Sequence, residues 1–142
     1  MGTMRELYTQ VIMDHCQRPR NKGELGNADL KEHLLNPLCG DEVTVYAVFD
    51  GGKVADARFE GRGCSISQAS ASMMTERLAG KSREEAKKEI DDFKAMMVGE
   101  REFPETEDLA ALQGVIRYPS RIKCAVLAWT AFGNGLDGGD GS

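Results

Sequence analysis

The sequence lacks the features that are typical of nucleic-acid-binding and membrane proteins. Aromatic residues make up only 6% of its 142 residues, and its 18 lysines and arginines form no basic tract. With a formal net charge of −5, this composition does not favour nucleic acid as a partner. No stretch approaches the roughly 18 consecutive apolar residues of a membrane-spanning helix, and residues 1–10 lack the apolar region of a signal peptide. We therefore expect a cytoplasmic protein without a membrane partner.

Closely spaced cysteines are also absent. The four cysteines stand at positions 16, 39, 64 and 124, and no two of them form a Cys-x-x-Cys pair. In a reducing compartment, such thiols are more often metal ligands or reactive groups than disulfides. Because the spacing alone is a weak indication of a metal site, the interpretation depends on the residues around each thiol.

Three of the cysteines lie among residues that are typical of turns and helix starts rather than of a packed core. Cys39 lies in Asn-Pro-Leu-Cys-Gly-Asp, Cys64 in Gly-Arg-Gly-Cys-Ser and Cys124 in Arg-Ile-Lys-Cys-Ala. Asp41 follows the first of these thiols by two positions. Three thiolates and a carboxylate are a ligand set that suits a tetrahedral zinc or iron ion. The sequence therefore predicts one metal site with Cys39, Asp41, Cys64 and Cys124 as its ligands.

The remaining cysteine and the two histidines are interpreted as structural residues. Cys16 lies beside Ile12 in the apolar pattern of the first predicted helix, which is typical of a buried or partly exposed structural thiol. His15 and His33 are interpreted as packing or surface residues rather than ligands.

The apolar patterning predicts an α+β fold, with a three-stranded antiparallel sheet and helices packed on its apolar face. The turn Asp-Gly-Gly at residues 50–52 joins the second and third strands. On the third strand, Ala55, Ala57 and Phe59 are expected to face the core. Strands are predicted at residues 28–35, 42–49 and 54–60.

Helices are predicted at residues 3–17, 65–79 and 82–98, and a last helix from Pro119. The whole of residues 1–132 is expected to form a single domain. The Gly- and Asp-rich residues 133–142 are expected to form a flexible tail.

This layout places each of the three thiols at the boundary of a helix or strand. Cys39 precedes the second strand, Cys64 stands at the N-terminus of a helix, and Cys124 lies in the first turn of the last helix with Arg121 and Lys123 nearby. The positive potential of a helix N-terminus and nearby cations stabilise thiolate relative to thiol. A glycine beside a ligand, such as Gly63, lets the backbone approach an ion closely. Because oxygen binds a soft ion less strongly than sulfur does, a site that includes Asp41 can open.

Several segments resemble those of the IscU/SufU family of iron–sulfur cluster biogenesis proteins. The resemblance extends over about residues 7–132, and it implies an α+β fold in which the thiols cluster at one tip of the sheet. The matching segments are Pro-Leu-Cys-Gly-Asp at 37–41, Gly-Arg-Gly-Cys-Ser-Ile-Ser-Gln-Ala-Ser at 61–70, Arg-Ile-Lys-Cys-Ala at 121–125, and Asp-His at 14–15 with Pro-Arg-Asn at 19–21.

Within this family the chain resembles the sulfur-relay, SufU-like branch more than the scaffold branch. The scaffold branch carries His directly before its third Cys, where this chain has Lys123. It also carries a proline-rich chaperone-recognition segment, which the Tyr-Pro-Ser at 118–120 does not match. The SufU-like branch has the pattern Arg-Ile-Lys-Cys and extra residues between the second and third thiols, as found here.

Resemblance to the SufU-like branch implies a zinc ion held by Cys39, Asp41, Cys64 and Cys124. It implies a zinc-dependent sulfurtransferase that accepts sulfane sulfur from a PLP-dependent, SufS-like cysteine desulfurase and passes it to a downstream cluster scaffold or apo-protein. In the mechanism that it suggests, a desulfurase histidine replaces Cys39 on the zinc. The freed thiolate then attacks the persulfide, and Arg121 stabilises the sulfur-bearing thiolate by charge.

Two other functions remain open at the level of the sequence. The same four ligands could assemble a [2Fe–2S] cluster, since three thiolates and a carboxylate suit zinc but also accommodate iron. The protein could also be an interaction module in which zinc contributes mainly to folding.

Overall fold

A computed structural model of the protein describes residues 4–37, 40–103 and 108–138. The predicted α+β class and three-stranded antiparallel sheet are confirmed. Within the described residues, no helix is both long enough and apolar enough to span a bilayer. The elements follow in this order: helix α1 (Met4–Gln17), strands β1 (Leu30–Asn36), β2 (Asp41–Asp50) and β3 (Lys53–Arg62), helices α2 (Ser65–Leu78) and α3 (Arg83–Met97), a 3₁₀ helix (Asp108–Arg117) and helix α4 (Pro119–Gly138).

The sheet has the strand order β1-β2-β3, so β2 is hydrogen-bonded on both sides. Its alternating residues Val43, Val45 and Ala47 are buried in the core, as expected for a strand with one face on helices. The last residue of β1, Asn36, pairs with the first residue of β2, Asp41. This pairing places Asp41, one of the four predicted ligands, at this end of the sheet.

The prediction that Ala55 faces the core is wrong. Ala55 is exposed, whereas Val54 is fully buried. Val48 pairs with Asp56 but Phe49 pairs with Val54, so Ala55 is an extra residue on β3 at this point. Such a bulge reverses the alternation of side chains toward the hairpin turn, because successive residues of a strand point to opposite faces.

Helices α2 and α4 pack on the sheet, with α2 against β3 and α4 against β1 and β2. Helix α1 packs on α2, and α3 packs on α4. Trp129 of α4, the only tryptophan in the chain, is fully buried and stacks on Phe93 of α3 at a centroid distance of 4.1 Å. Its indole N–H donates to the Ser70 hydroxyl of α2. This cluster joins three helices above the sheet and fixes the orientation of α4.

Helix α4 extends beyond residue 132, so the prediction of a flexible tail from residue 133 is wrong as far as Gly138. Leu136 is buried, and Gly135 lies so close to β1 that a Cβ atom there would stand 2.6 Å from the Leu30 Cγ. The glycines lower the helix propensity of this segment, but packing against β1 outweighs that effect. The rest of the predicted tail, residues 139–142, lies outside the described residues.

Two glycines of α4 provide a matched test of this contact. We expect Gly135→Ala to lower the free energy of unfolding by about 1–3 kcal/mol, because the added methyl would overpack Leu30. Gly133→Ala is the control, since a Cβ there would meet Ile90 at 3.8 Å, an ordinary contact. That variant should gain up to about 1 kcal/mol from helix propensity. Urea denaturation followed by circular dichroism measures both, and equal effects would contradict the packing described here.

Candidate metal centre

The candidate metal centre lies where one end of the sheet meets the N-terminal ends of α2 and α4. Asp41 opens β2, Cys64 immediately precedes α2, and Cys124 lies in the second turn of α4. One ligand atom from each of these three residues lies within 4.8 Å of the other two. Of the four predicted ligands, the structure therefore brings together Asp41, Cys64 and Cys124. Cys39 lies outside the described residues.

These three residues fit a tetrahedral metal ion in both chemistry and spacing. With metal–sulfur bonds of about 2.3 Å and metal–oxygen bonds of about 2.0 Å, neighbouring ligand atoms are roughly 3.5–3.8 Å apart. Ligand atoms within 4.8 Å of one another need only small adjustments to reach that separation. Two thiols and a carboxylate are donors that zinc and iron accept.

The carboxylate of Asp41 is held by the backbone at the start of α2. Asp41 is 1% exposed, and its Oδ1 accepts a hydrogen bond of 2.9 Å from the Cys64 N–H. Its Oδ2 lies 4.0 Å from the Cys64 Sγ. One oxygen is thus bonded to the protein, and the other lies beside the thiol, where it would bind a metal ion through a single oxygen.

Gly63 makes room for this carboxylate. Its backbone φ of 155° is one that residues other than glycine rarely adopt. A Cβ atom at this position would stand 2.2 Å from the Asp41 Oδ1 and 3.1 Å from the Asp41 Cα. The predicted close approach of the backbone at Gly63 to an ion stays a prediction, and the group that the structure places against Gly63 is the Asp41 carboxylate.

The two described thiols are placed by different helices. Cys64 is the N-cap of α2, and its Sγ accepts a hydrogen bond from the Ser67 N–H at 3.5 Å. Cys124 is 1% exposed, and its Sγ lies 3.9 Å from both the Asn36 Nδ2 and the Ser120 carbonyl oxygen. Both sulfurs therefore have polar neighbours, which an ordinary core thiol does not need.

Arg121 lies beside both thiols. Negative charge at Cys64 raises the pKa of the Arg121 guanidinium, and hydrogen bonds to Cys124 and Cys64 raise it further. The side chain is exposed, so a cation stands on the solvent side of the two sulfurs. Lys123 is also exposed.

Asn36 also contacts the centre, although it is not among the predicted site residues. Its side chain is only 6% exposed and contacts Cys124, although 88 positions separate the two residues. One signal was available, because Asn36 shares the alternation phase of Leu30 and Leu34 on β1, and Leu30 is part of the core. A polar residue at a core-facing strand position requires a hydrogen-bonding partner.

The histidines lie apart from the thiols. His15 is 1% exposed, and its ring nitrogens contact the Ser72 hydroxyl at 2.8 Å and the Asp108 carboxylate at 2.7 Å. These contacts join α1, α2 and the 3₁₀ helix, and they agree with a packing role. His33 is about half exposed and contacts Glu42.

A groove of about 640 Å³ adjoins the thiols. It runs between α1, the 3₁₀ helix and the start of α4, and Ile66 and Arg121 belong to its lining. Tyr118, also part of the lining, is 55% exposed. The candidate centre therefore lies beside an open and partly apolar surface rather than in a closed cavity.

The family of the chain follows from its sequence. Residues 7–133 match the model of the NifU-like N-terminal domain. The chain belongs to this family. It is 50% identical to the zinc-dependent sulfurtransferase SufU of Bacillus subtilis, over 92% of this chain and 89% of that protein. It is 42% identical to the iron–sulfur cluster assembly scaffold protein IscU of Streptococcus pyogenes, over 92% of this chain and 83% of that protein. The resemblance to the IscU/SufU family is thereby confirmed.

Solved structures agree with the fold of this NifU-like domain. An iron–sulfur cluster assembly scaffold protein for the SUF system from Fervidobacterium islandicum superposes with a TM-score of 0.83 at 39% identity, over 93% of this chain and 98% of that one. A NifU-like N-terminal protein from Brucella abortus gives a TM-score of 0.85 at 24% identity, over 99% of both chains.

Gly63→Ala tests the geometry of the carboxylate. We expect the variant to stay folded but to bind Co²⁺ or Zn²⁺ at least about tenfold more weakly, because loss of the partners that orient a ligand typically costs 10–100-fold in metal affinity. Competition with a chromophoric chelator measures the affinity. Gly26→Ala is the control, since a Cβ there has no atom within 4 Å. Unchanged affinity in Gly63→Ala would contradict a ligand role for Asp41.

Proposed function

We propose that the protein is a zinc-binding sulfur acceptor of iron–sulfur cluster assembly, which receives persulfide sulfur from a cysteine desulfurase. The observation that carries the proposal is the convergence of Asp41, Cys64 and Cys124 within 4.8 Å, with Arg121 beside both thiols. The 50% identity to a protein named as a zinc-dependent sulfurtransferase supports it.

The proposed zinc ligands are Cys39, Asp41, Cys64 and Cys124. Cys39 stands two residues before Asp41, so the length of the chain alone keeps its Cα within about 7 Å of the Asp41 Cα. Zinc bound to these residues would keep the thiols deprotonated at neutral pH. The protein supplies the carboxylate orientation through Gly63 and the Cys64 N–H.

Cys39 is the proposed sulfur acceptor. Its thiolate attacks the outer sulfur of the desulfurase cysteine persulfide. The sulfur–sulfur bond of the donor breaks, a sulfur–sulfur bond forms on Cys39, and the desulfurase cysteine leaves as a thiolate. The transfer therefore consumes no oxidant or reductant. The persulfide formed on Cys39 then releases its proton to solvent, which leaves a negative charge on the transferred sulfur. Arg121 would stabilise that charge through charge-assisted hydrogen bonds.

The desulfurase has to approach the end of the sheet that carries Asp41. Two large apolar side chains are exposed close to this end: Leu35, which neighbours Asn36 on β1, and Tyr118, which precedes α4. Tyr118 and Arg121 also line the adjoining groove. An apolar anchor with a cation beside it suits a partner segment that carries apolar and acidic side chains. A downstream scaffold or apo-protein would receive the sulfur at the same end.

Metal content and desulfurase stimulation test the proposal together. We expect the freshly purified protein to contain about one zinc per chain and to accelerate sulfide release by a cysteine desulfurase. Cys39→Ala should abolish the acceleration because the acceptor sulfur is missing. Cys16→Ser is the control and should keep both properties, since Cys16 is not a proposed ligand. Protein without stoichiometric zinc, or full stimulation by Cys39→Ala, would overturn the proposal.

Arg121→Ala tests the role of the guanidinium. We expect sulfur acceptance to fall by about 10–100-fold, since hydrogen bonds to charged groups contribute roughly 1.5–3 kcal/mol. Zinc content should not change, because arginine is not a ligand. Arg121→Lys should restore only part of the rate, since it keeps the charge but not the planar fork. Wild-type rates in Arg121→Ala would contradict a catalytic role.

A second candidate function is assembly of a [2Fe–2S] cluster on the same ligands. It is favoured by the 42% identity to a relative named as a scaffold protein. Anaerobic reconstitution with iron and sulfide, followed by transfer to an apo-ferredoxin, separates the two functions. A stable, transferable cluster in protein that carries little zinc would favour the scaffold. A chelated protein that stays folded but accepts no sulfur would exclude a purely structural role for zinc.

A further inference from the structure

We propose that Asn36 is a positioning residue that holds the Cys124 sulfur in the centre, so that sulfur is accepted by Cys39 and not by Cys124. This inference deepens the proposed function and rests on it for the identity of the acceptor. The contact between the Asn36 amide and the Cys124 sulfur is independent of the proposed function and can be measured separately.

Each of the three described ligands has an N–H group beside it. The Cys64 N–H donates to the Asp41 carboxylate at 2.9 Å, and the Ser67 N–H donates to the Cys64 sulfur at 3.5 Å. The Asn36 side-chain amide lies 3.9 Å from the Cys124 sulfur and is one of its donors, beside the Arg121 guanidinium. The first two donors belong to the backbone, whereas the third is a side chain that mutation can remove.

The Asn36 amide is held in place by the sheet. Asn36 is 6% exposed and pairs with Asp41 in the ladder between β1 and β2. Cys124, in contrast, belongs to α4. The contact therefore links the end of the sheet to the helix that carries the third thiol. Arg121 does not distinguish Cys124 from Cys64, because its guanidinium interacts with both thiols.

Asn36 also stands at the start of the short segment that carries Cys39. Residues 37–40 connect Asn36 to Asp41, and these two residues are paired directly. One end of the segment is thus tied to Cys124 through Asn36, and the other end is tied to Cys64 through Asp41.

An N–H donor affects a thiolate in two ways that suit a ligand that stays in place. It fixes the direction of the sulfur, as outer partners of metal ligands do. It also stabilises the negative charge, which makes the sulfur less reactive toward a persulfide. By both effects Asn36 makes Cys124 a poorer acceptor of the transferred sulfur, so that Cys39 accepts it instead.

The first experiment needs no desulfurase. We expect Asn36→Ala and Asn36→Asp to transfer zinc to a chelator about 10–100-fold faster than wild type. In the Co²⁺-substituted variants, the sulfur-to-cobalt charge-transfer bands should move to longer wavelength, because loss of the N–H donor leaves the thiolate more electron-rich. Asn134→Asp is the matched control, since Asn134 is an exposed residue of α4. Unchanged zinc release and unchanged cobalt spectra in folded variants would overturn the proposal.

The second experiment locates the transferred sulfur. After incubation with a cysteine desulfurase and cysteine, persulfides are trapped by alkylation and mapped by mass spectrometry. Wild type should carry the sulfur on Cys39, and Asn36→Ala should raise the ratio of Cys124 to Cys39 persulfide at least about tenfold. An unchanged ratio would overturn the assignment of specificity to Asn36. If wild type accepts no sulfur at all, the proposed function fails, and the cobalt spectra still decide whether Asn36 acts on Cys124.

The variants need a check on folding, because Asn36 ends a strand. Asn36→Ser provides a smaller polar replacement whose hydroxyl is too short to take the place of the amide. We expect it to keep the circular dichroism spectrum of wild type and to show the same cobalt shift as Asn36→Ala. A Ser variant that is fully folded and has the wild-type cobalt spectrum would overturn the proposal.

Discussion

The hydrogen bond from the Cys64 N–H to the Asp41 carboxylate is the interaction on which the candidate centre depends. It joins the first residue of β2 to the N-cap of α2 and places a carboxylate where it is almost completely removed from water. A buried carboxylate is unfavourable unless hydrogen bonds or cations compensate its charge. One oxygen has the backbone donor, and the other lies beside a thiol. The fold therefore creates a position that favours a cation.

The remaining parts of the centre are divided between rigid helices and a short connection. Cys64 and Cys124 belong to α2 and α4, which pack on the sheet and on each other. These two thiols are thus carried by helices that are part of the packed core. Cys39, in contrast, belongs to a connection between two paired strand ends. Under the proposed function, Cys39 is the thiol that exchanges.

The sequence was most informative where local chemistry and position agree. Cys64 follows Gly63 and precedes Ser65, and this context predicted a helix start, where the structure has it. The apolar pattern likewise predicted a strand over residues 42–49, and its alternating residues Val43, Val45 and Ala47 are buried. Both features are local, so a window of a few residues was enough. Cys39, in contrast, lies outside the described residues, and its role as a ligand stays a prediction.

The features that the sequence did not reveal depend on contacts between distant segments. The bulge at Ala55 arises from the register of two strands, and the extension of α4 depends on how closely Gly135 approaches Leu30. Glycine-rich composition alone indicated flexibility there. Asn36 meets Cys124 only because β1 and α4 pack together. The one local indication of that contact was a polar residue, Asn36, at a position of β1 that faces the core.

The position of Trp129 has a practical consequence for work on this protein. The indole N–H donates to the Ser70 hydroxyl, which in turn donates to the carbonyl of Ala125, the residue next to Cys124. Because the chain has one tryptophan, its tryptophan fluorescence arises from a single buried ring. That ring is connected through hydrogen bonds to the backbone beside a proposed ligand. The native protein thus contains an intrinsic optical probe for events at that thiol, and no dye has to be attached.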